Sequence, residues 1–157
     1  MTPVRLVLIA LVAAAVDQVT KQWALAVLSP GLSVPVLPVF SLTLGFNKGA
    51  SFGMLGGVMA GRPLLMVALT GAITAALAWM AFRTRQRPEA AGWMLVVGGS
   101  LGNIIDRLRQ GAVTDFLDFH WRGWHWPAFN LADVAIFCGV AVVLLLSLPR
   151  FAEKRDA

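Results

Sequence analysis

Four long apolar stretches alternate with shorter polar, Pro- and Gly-bearing segments along this chain: Val4 to Leu28, Pro63 to Phe82, Ala90 to Ile105 and Leu131 to Leu148. A helix that crosses a bilayer needs roughly 20 apolar residues, within a range of about 17–25. The second and fourth stretches meet that length. The third is short unless it begins in the loop before it. The first is broken at Asp17, Gln18 and Lys21, so its polar end belongs near an interface. The pattern predicts helices at about 4–28, 63–82, 90–107 and 131–148 in a single domain spanning 1–157. The expected class is a mainly α, polytopic membrane protein with four transmembrane helices. One rival concerns the first stretch: Arg5, the apolar run and Ala13-x-Ala15 resemble a cleavable signal peptide. The three later apolar stretches argue against it.

The intervening segments carry their own pattern. Ser41-Leu42-Thr43-Leu44-Gly45-Phe46 alternates polar or small with apolar residues, the period of a half-buried strand. Pro35 and Pro38 upstream suit an edge strand. A small extracytoplasmic β-sheet lying on the membrane surface is therefore expected. Trp121, Trp124 and Trp126, with His120 and His125, read as an interfacial aromatic belt. Gly49-Ala50-Ser51-Phe52-Gly53 reads as a close-packing turn or as a short flap on Gly hinges.

Composition and charge sharpen this. Of 157 residues 58% are hydrophobic and only 13% charged, with a mean hydropathy of +0.74. Soluble domains carry about 25% charged residues. So apolar a chain cannot cover its own surface with polar groups, and its solvent is read as lipid. The formal charge is +5, but the basic residues sit mostly at the ends of apolar runs, so nucleic acid is not the expected partner. Arg5, the Arg83, Arg85, Arg87 group, and Arg150, Lys154 and Arg155 place both termini in the cytoplasm by the positive-inside rule. The segments Ser29–Arg62 and Asp106–Asn130 then face outward, although Lys48, Arg107, Arg109 and Arg122 blur the asymmetry. The one cysteine, Cys138, lies in an apolar run and reads as a small hydrophobe.

Carboxylates near hydrocarbon cost about 2.5 kcal/mol or more, so they mark candidate sites. Asp17, Asp106, Asp115, Asp118 and Asp133 all fall at or just beyond the outer helix ends, whereas Glu89 and Glu153 lie on the cytoplasmic side. Asn130 and Asp133 open the fourth helix three residues apart. They suit N-terminal capping and a functional site equally. Asp115 and Asp118, taken singly, read more readily as water-exposed carboxylates in an apolar-rich loop. Asp17, Lys21 and Asp106 suggest a structural ion-pair network, with Arg107 as another candidate cation. Asn103 and Arg107 share a helix face and suit hydrogen bonding to a substrate backbone. An ion pathway would place acids near mid-helix. A metal site would need His120 and His125 with Asp115 and Asp118, a weak pattern on a Trp-rich loop. No phosphate-loop spacing occurs.

Five segments, in order, carry a family resemblance: Asp17-Gln18-Val19-Thr20-Lys21; Phe46-Asn47-Lys48-Gly49-Ala50-Ser51-Phe52-Gly53; Gly98 through Asn103 to Arg107; Val113-Thr114-Asp115-Phe116; and Phe129-Asn130-Leu131-Ala132-Asp133. Together they resemble the conserved boxes of the lipoprotein signal peptidases (signal peptidase II). The resemblance implies a membrane aspartic endopeptidase, without metal or other cofactor. Its substrates would be bacterial prolipoproteins, cut before a diacylglyceryl-modified cysteine. It implies Asp115 and Asp133 as the catalytic pair and Asn47, Asn103, Arg107 and Asn130 as substrate-site residues. Asp17, Lys21 and Asp106 stay with the structural polar network. A monomer in the inner membrane, in contact with lipid and with its active site near the outer face, is expected. The Trp121–Trp126 segment matches no box.

Overall fold

The computed structural model describes residues 1–49 and 62–148. All but Gly49 of the flap expected over Gly49–Gly53, and the cations Arg150, Lys154 and Arg155, lie outside the described residues. Among the described residues four helices and four strands follow one another as α1 (Pro3–Val27), β1 (Ser33–Leu37), β2 (Phe40–Asn47), α2 (Pro63–Arg83), α3 (Arg87–Gln110), β3 (Val113–Trp121), β4 (Trp124–His125) and α4 (Leu131–Ser147).

The helix ends have local causes. Pro lies in the first turn of α1, α2 and α3, where its missing N–H costs no hydrogen bond. The third helix begins at Arg87, inside what reads from the sequence as a loop. Glu89 in its first turn accepts from Thr84 Oγ1 (2.7 Å) and Trp93 Nε1 (3.4 Å). It ends at Gly111, which takes φ +75°, a left-handed value that glycine adopts without steric cost.

Helix α3 packs against α1, α2 and α4. Small residues make these approaches close. A Cβ on Gly98 would meet the Ala10 carbonyl of α1, and one on Gly99 would meet the Ala132 carbonyl of α4. One apolar core joins Leu6, Ala10, Ala81, Ala90, Met94 and Val97 across α1, α2 and α3. A second joins Ala24 and Leu28 of α1 to Leu44 of β2 and Phe116 of β3, seating the sheet against the far end of α1.

Large apolar side chains line the outside of the bundle, among them Leu11, Val19, Ile73, Trp79, Phe137 and Leu144. So broad an apolar surface fits a lipid surround. Helices α1 and α2 are long and apolar enough to cross a membrane, and α4 is apolar but shorter, at 17 residues. The polar end of α1 is built into the core: Asp17 and Lys21 are fully buried. Upstream of the Ala13-x-Ala15 pattern, Leu6 and Ala10 are packed into the core with Met94 and Val97 of α3.

The strands form one antiparallel sheet in the order β1-β2-β3-β4. Pro35 falls on the edge strand β1, where its lack of an N–H does least harm. The segment after α3 corrects the sequence reading. It is no exposed loop, because Val113–Trp121 is a nine-residue strand in which Asp115 and Asp118 are both buried. Its inner half is covered on both faces, so it lacks the alternation that identifies a one-sided strand.

Candidate active site

Asp115 lies in β3, opposite Gly45 of β2, and Asp133 lies in the first turn of α4. One residue links them. Asn130 caps α4 by accepting from the Asp133 backbone N–H through Oδ1 (3.0 Å), and Asp133 Oδ2 accepts from the Asn130 backbone N–H (3.3 Å). The other end of the Asn130 amide donates from Nδ2 to Asp115 Oδ1 at 2.6 Å. Capping and site-building are therefore the same interaction set. Asn103 Nδ2 donates to Asp133 Oδ1 (3.1 Å), while Asn103 Oδ1 accepts from Asn130 Nδ2 (3.2 Å). Asn47, at the end of β2, accepts from the Gly49 N–H through Oδ1 (3.0 Å) and hydrogen-bonds Asp115.

Asn47, Asp115 and Asp133 line a cavity of about 620 Å³. Trp126, Pro127, Ala128 and Phe129 form one wall, and apolar side chains of α4, including Ile136, Phe137 and Val140, continue it along the helix. Burial and the nearby Asp133 push the Asp115 carboxyl up to about 7, against the opposing pull of the Asn130 and Asn47 donors. A second cavity of about 550 Å³ opens between α1, α3 and α4. It is lined by apolar side chains and Cys138, with no acid among the described residues.

Of the residues singled out from the sequence, Asn103, Arg107 and Asn130 are not among those lining this cavity: Asn130 is fully buried, and Asn103 and Arg107 are half-buried. Arg107 donates to the backbone carbonyls of Gly49 (3.1 Å) and Asn103 (3.4 Å). It is Lys21 that pairs with the buried carboxylates: its Nζ lies 2.8 Å from Asp17 Oδ2, 3.0 Å from Asp106 Oδ2 and 2.8 Å from Asn103 Oδ1. Its three protons thus meet three acceptors. Gln18, given no role by the sequence, completes the network by donating to Asp106 Oδ1 (2.9 Å) and the Gly102 carbonyl (3.1 Å). A lone amide inside an apolar helix was its only signal.

Asp118 and the histidines form a separate group. Asp118 accepts from Thr43 Oγ1 (3.1 Å) and pairs with His125 Nδ1 (2.9 Å), while His120 Nε2 lies 2.9 Å from Ser41 Oγ. Asp118 is three positions from Asp115 in an extended strand, which aims the two side chains to opposite faces. Among the described residues no three of His, Cys, Asp and Glu converge as a metal-binding group.

Comparison with known proteins places this geometry. The sequence profile described as "Signal peptidase (SPase) II" matches residues 9–149. A lipoprotein signal peptidase of Yersinia pestis (strain Pestoides F) is 40% identical over 155 residues, covering 98% of this chain and 92% of the relative. One of Anaplasma phagocytophilum (strain HZ) is 39% identical over 139 residues, covering 88% of each. Two solved structures of bacterial membrane enzymes, obtained by the in meso method at 2.3 and 1.9 Å, superpose with TM-scores of 0.84 and 0.81 at 30% identity. They cover 99% and 94% of this chain, and the match takes in 94% of each of theirs. By profile, sequence and fold alike, the chain belongs to the signal peptidase II family.

Proposed function

We propose that this protein is a membrane aspartic endopeptidase that removes the signal peptide of bacterial prolipoproteins, cutting before the diacylglyceryl-modified cysteine, with Asp115 and Asp133 as its catalytic pair. The observation that carries the reading is the convergence of these two carboxylates on one cavity, joined through Asn130. Four membrane-spanning helices, cytoplasmic termini, a site near the outer face and a single monomeric peptidase domain complete the proposal.

The geometry supports a division of labour. Two carboxyls in one pocket do not both ionise freely, so one retains a proton. Asp115, buried and raised to about 7, is the proton holder near neutral pH. Asp133, met by N–H donors at the amino end of α4, acts as the base. Asp133 takes a proton from water, and the water oxygen bonds to the scissile carbonyl carbon. Asp115 gives its proton to the carbonyl oxygen. The tetrahedral intermediate then returns that proton and collapses, the C–N bond breaks, and the proton on Asp133 passes to the departing amine. The signal peptide leaves with a new carboxyl terminus. Asn47 faces the cavity and is the group best placed to contact the substrate. The apolar wall along α4 suits hydrocarbon. No metal or other cofactor takes part in this scheme.

The test is cleavage of a diacylglyceryl prolipoprotein by purified protein, with Asp115→Asn and Asp133→Asn beside the wild type. Each variant is expected to remain folded and to lose about 10³-fold or more of the rate. An inert wild type, or an Asn variant of undiminished rate, would overturn the reading.

A further inference from the structure

Lys21 sits at the branch point of three contacts that all end at the proposed catalytic pair. Asp17, held by Lys21 at 2.8 Å, uses its other oxygen to accept from the Ala132 backbone N–H at 2.9 Å. Ala132 is the residue before Asp133. Asp106, held by Lys21 at 3.0 Å, accepts from the Thr114 backbone N–H at 2.9 Å. Thr114 is the residue before Asp115. The third contact runs from Lys21 to Asn103 Oδ1 at 2.8 Å, and Asn103 Nδ2 reaches Asp133 at 3.1 Å. A cation on Asn103 Oδ1 forces that amide to present its N–H₂ to Asp133.

A buried ion cluster that merely tied α1 to α3 could sit anywhere along their contact. This one grips the backbone one residue ahead of each aspartate, on two different elements, and aligns a side-chain donor to one of them. Asp17 and Lys21 are completely buried and Asp106 nearly so, at 3% exposure. Water therefore cannot take over their hydrogen bonds, and the bond directions are fixed.

We propose that Lys21 is a positioning residue for the peptidase reaction: through Asp17, Asp106 and Asn103 it sets the spacing and orientation of Asp115 and Asp133 without touching the substrate. The proposal rests on the catalytic assignment above. It differs from a purely structural role, which would change the amount of folded enzyme and leave each folded molecule's chemistry intact.

The variants are Lys21→Met and the double variant Lys21→Met, Asp17→Asn. The double variant keeps the formal charge of the three-residue cluster at minus one and retains an acceptor for the Ala132 N–H. It covers the case in which Lys21→Met alone fails to fold. Steady-state cleavage of a diacylglyceryl-cysteine lipopeptide is followed against pH, with rates normalised to folded protein. Expected are a fall in kcat of about 100-fold, as displacement of reacting groups by about 1 Å produces, a KM within about threefold of wild type, and an alkaline limb displaced to higher pH. That displacement follows because an ammonium that favours ionised Asp115 has gone. A kcat per folded molecule and a pH profile matching wild type would overturn the proposal. Asp115→Asn and Asp133→Asn, run in the same assay, separate the two ideas: if either cleaves normally, the catalytic assignment itself fails, whatever Lys21→Met does.

Discussion

The amide of Asn130 is divided between two tasks, its oxygen closing the first turn of α4 and its nitrogen gripping Asp115. That division matters for Asp115, whose proton affinity is a balance. Burial and Asp133 raise it, and Asn130 and Asn47 oppose them, leaving a value of about 7. A carboxyl raised above its unfolded value stabilises the fold fully below the unfolded value near 3.8, and the contribution is lost as pH rises through about 7. The swing is at most about 4 kcal/mol. Asp115→Asn, neutral at every pH, is therefore expected to melt higher than wild type at pH 8, with the gap closing towards pH 4. Thermal unfolding in detergent at the two pH values checks this, and a gap independent of pH would contradict it. Wild-type cleavage should decline above about pH 7 as Asp115 loses the proton it donates.

At the scale of elements, α3 organises the molecule because its glycines let neighbours approach. Gly102 is the most consequential, since a Cβ there would run into the Asp17 carboxylate. Gly102→Ala must push α1 away or break the grip of Asp17 on Lys21. A cost of about 1–3 kcal/mol is expected from overpacking, together with a loss of activity. Gly71 of α2 has nothing within 4 Å of the same added atom. Gly71→Ala should be neutral or stabilising by about 0.5–1 kcal/mol, because alanine restricts the unfolded helix segment. Melting temperatures measured side by side should fall for Gly102→Ala and hold or rise for Gly71→Ala. Equal shifts would mean that the close approach of α1 and α3 is not what Gly102 protects.

Across the whole molecule, the sheet, the polar end of α1, the carboxyl end of α3 and the amino end of α4 gather on one side of the bundle. In the proposed topology that side faces outward, and the α2–α3 turn faces the cytoplasm. In a Cys138→Ala background, Ser33→Cys should react with a membrane-impermeant thiol reagent added to intact spheroplasts. Arg85→Cys should react only after lysis. Both positions are exposed, so the reversed pattern would invert the topology.

The apolar stretches determined the four helices, because helix length and hydropathy are local properties of the chain. The alternation at Ser41–Phe46 likewise marked β2, and five ordered motifs marked the family. What the tertiary structure alone decided is how the polar residues divide their hydrogen bonds. Asp115 reads as an exposed loop acid until β2 and α4 close over β3. Asn130 and Asp133 read as a cap or a site until one amide is found to serve both. Gln18 breaks an apolar run without indicating its partners, and Lys21 could be assigned to an ion pair but not to Asn103. Each of these depends on which distant group meets a particular lone pair or proton, over separations of up to 115 residues along the chain, and no local pattern encodes that.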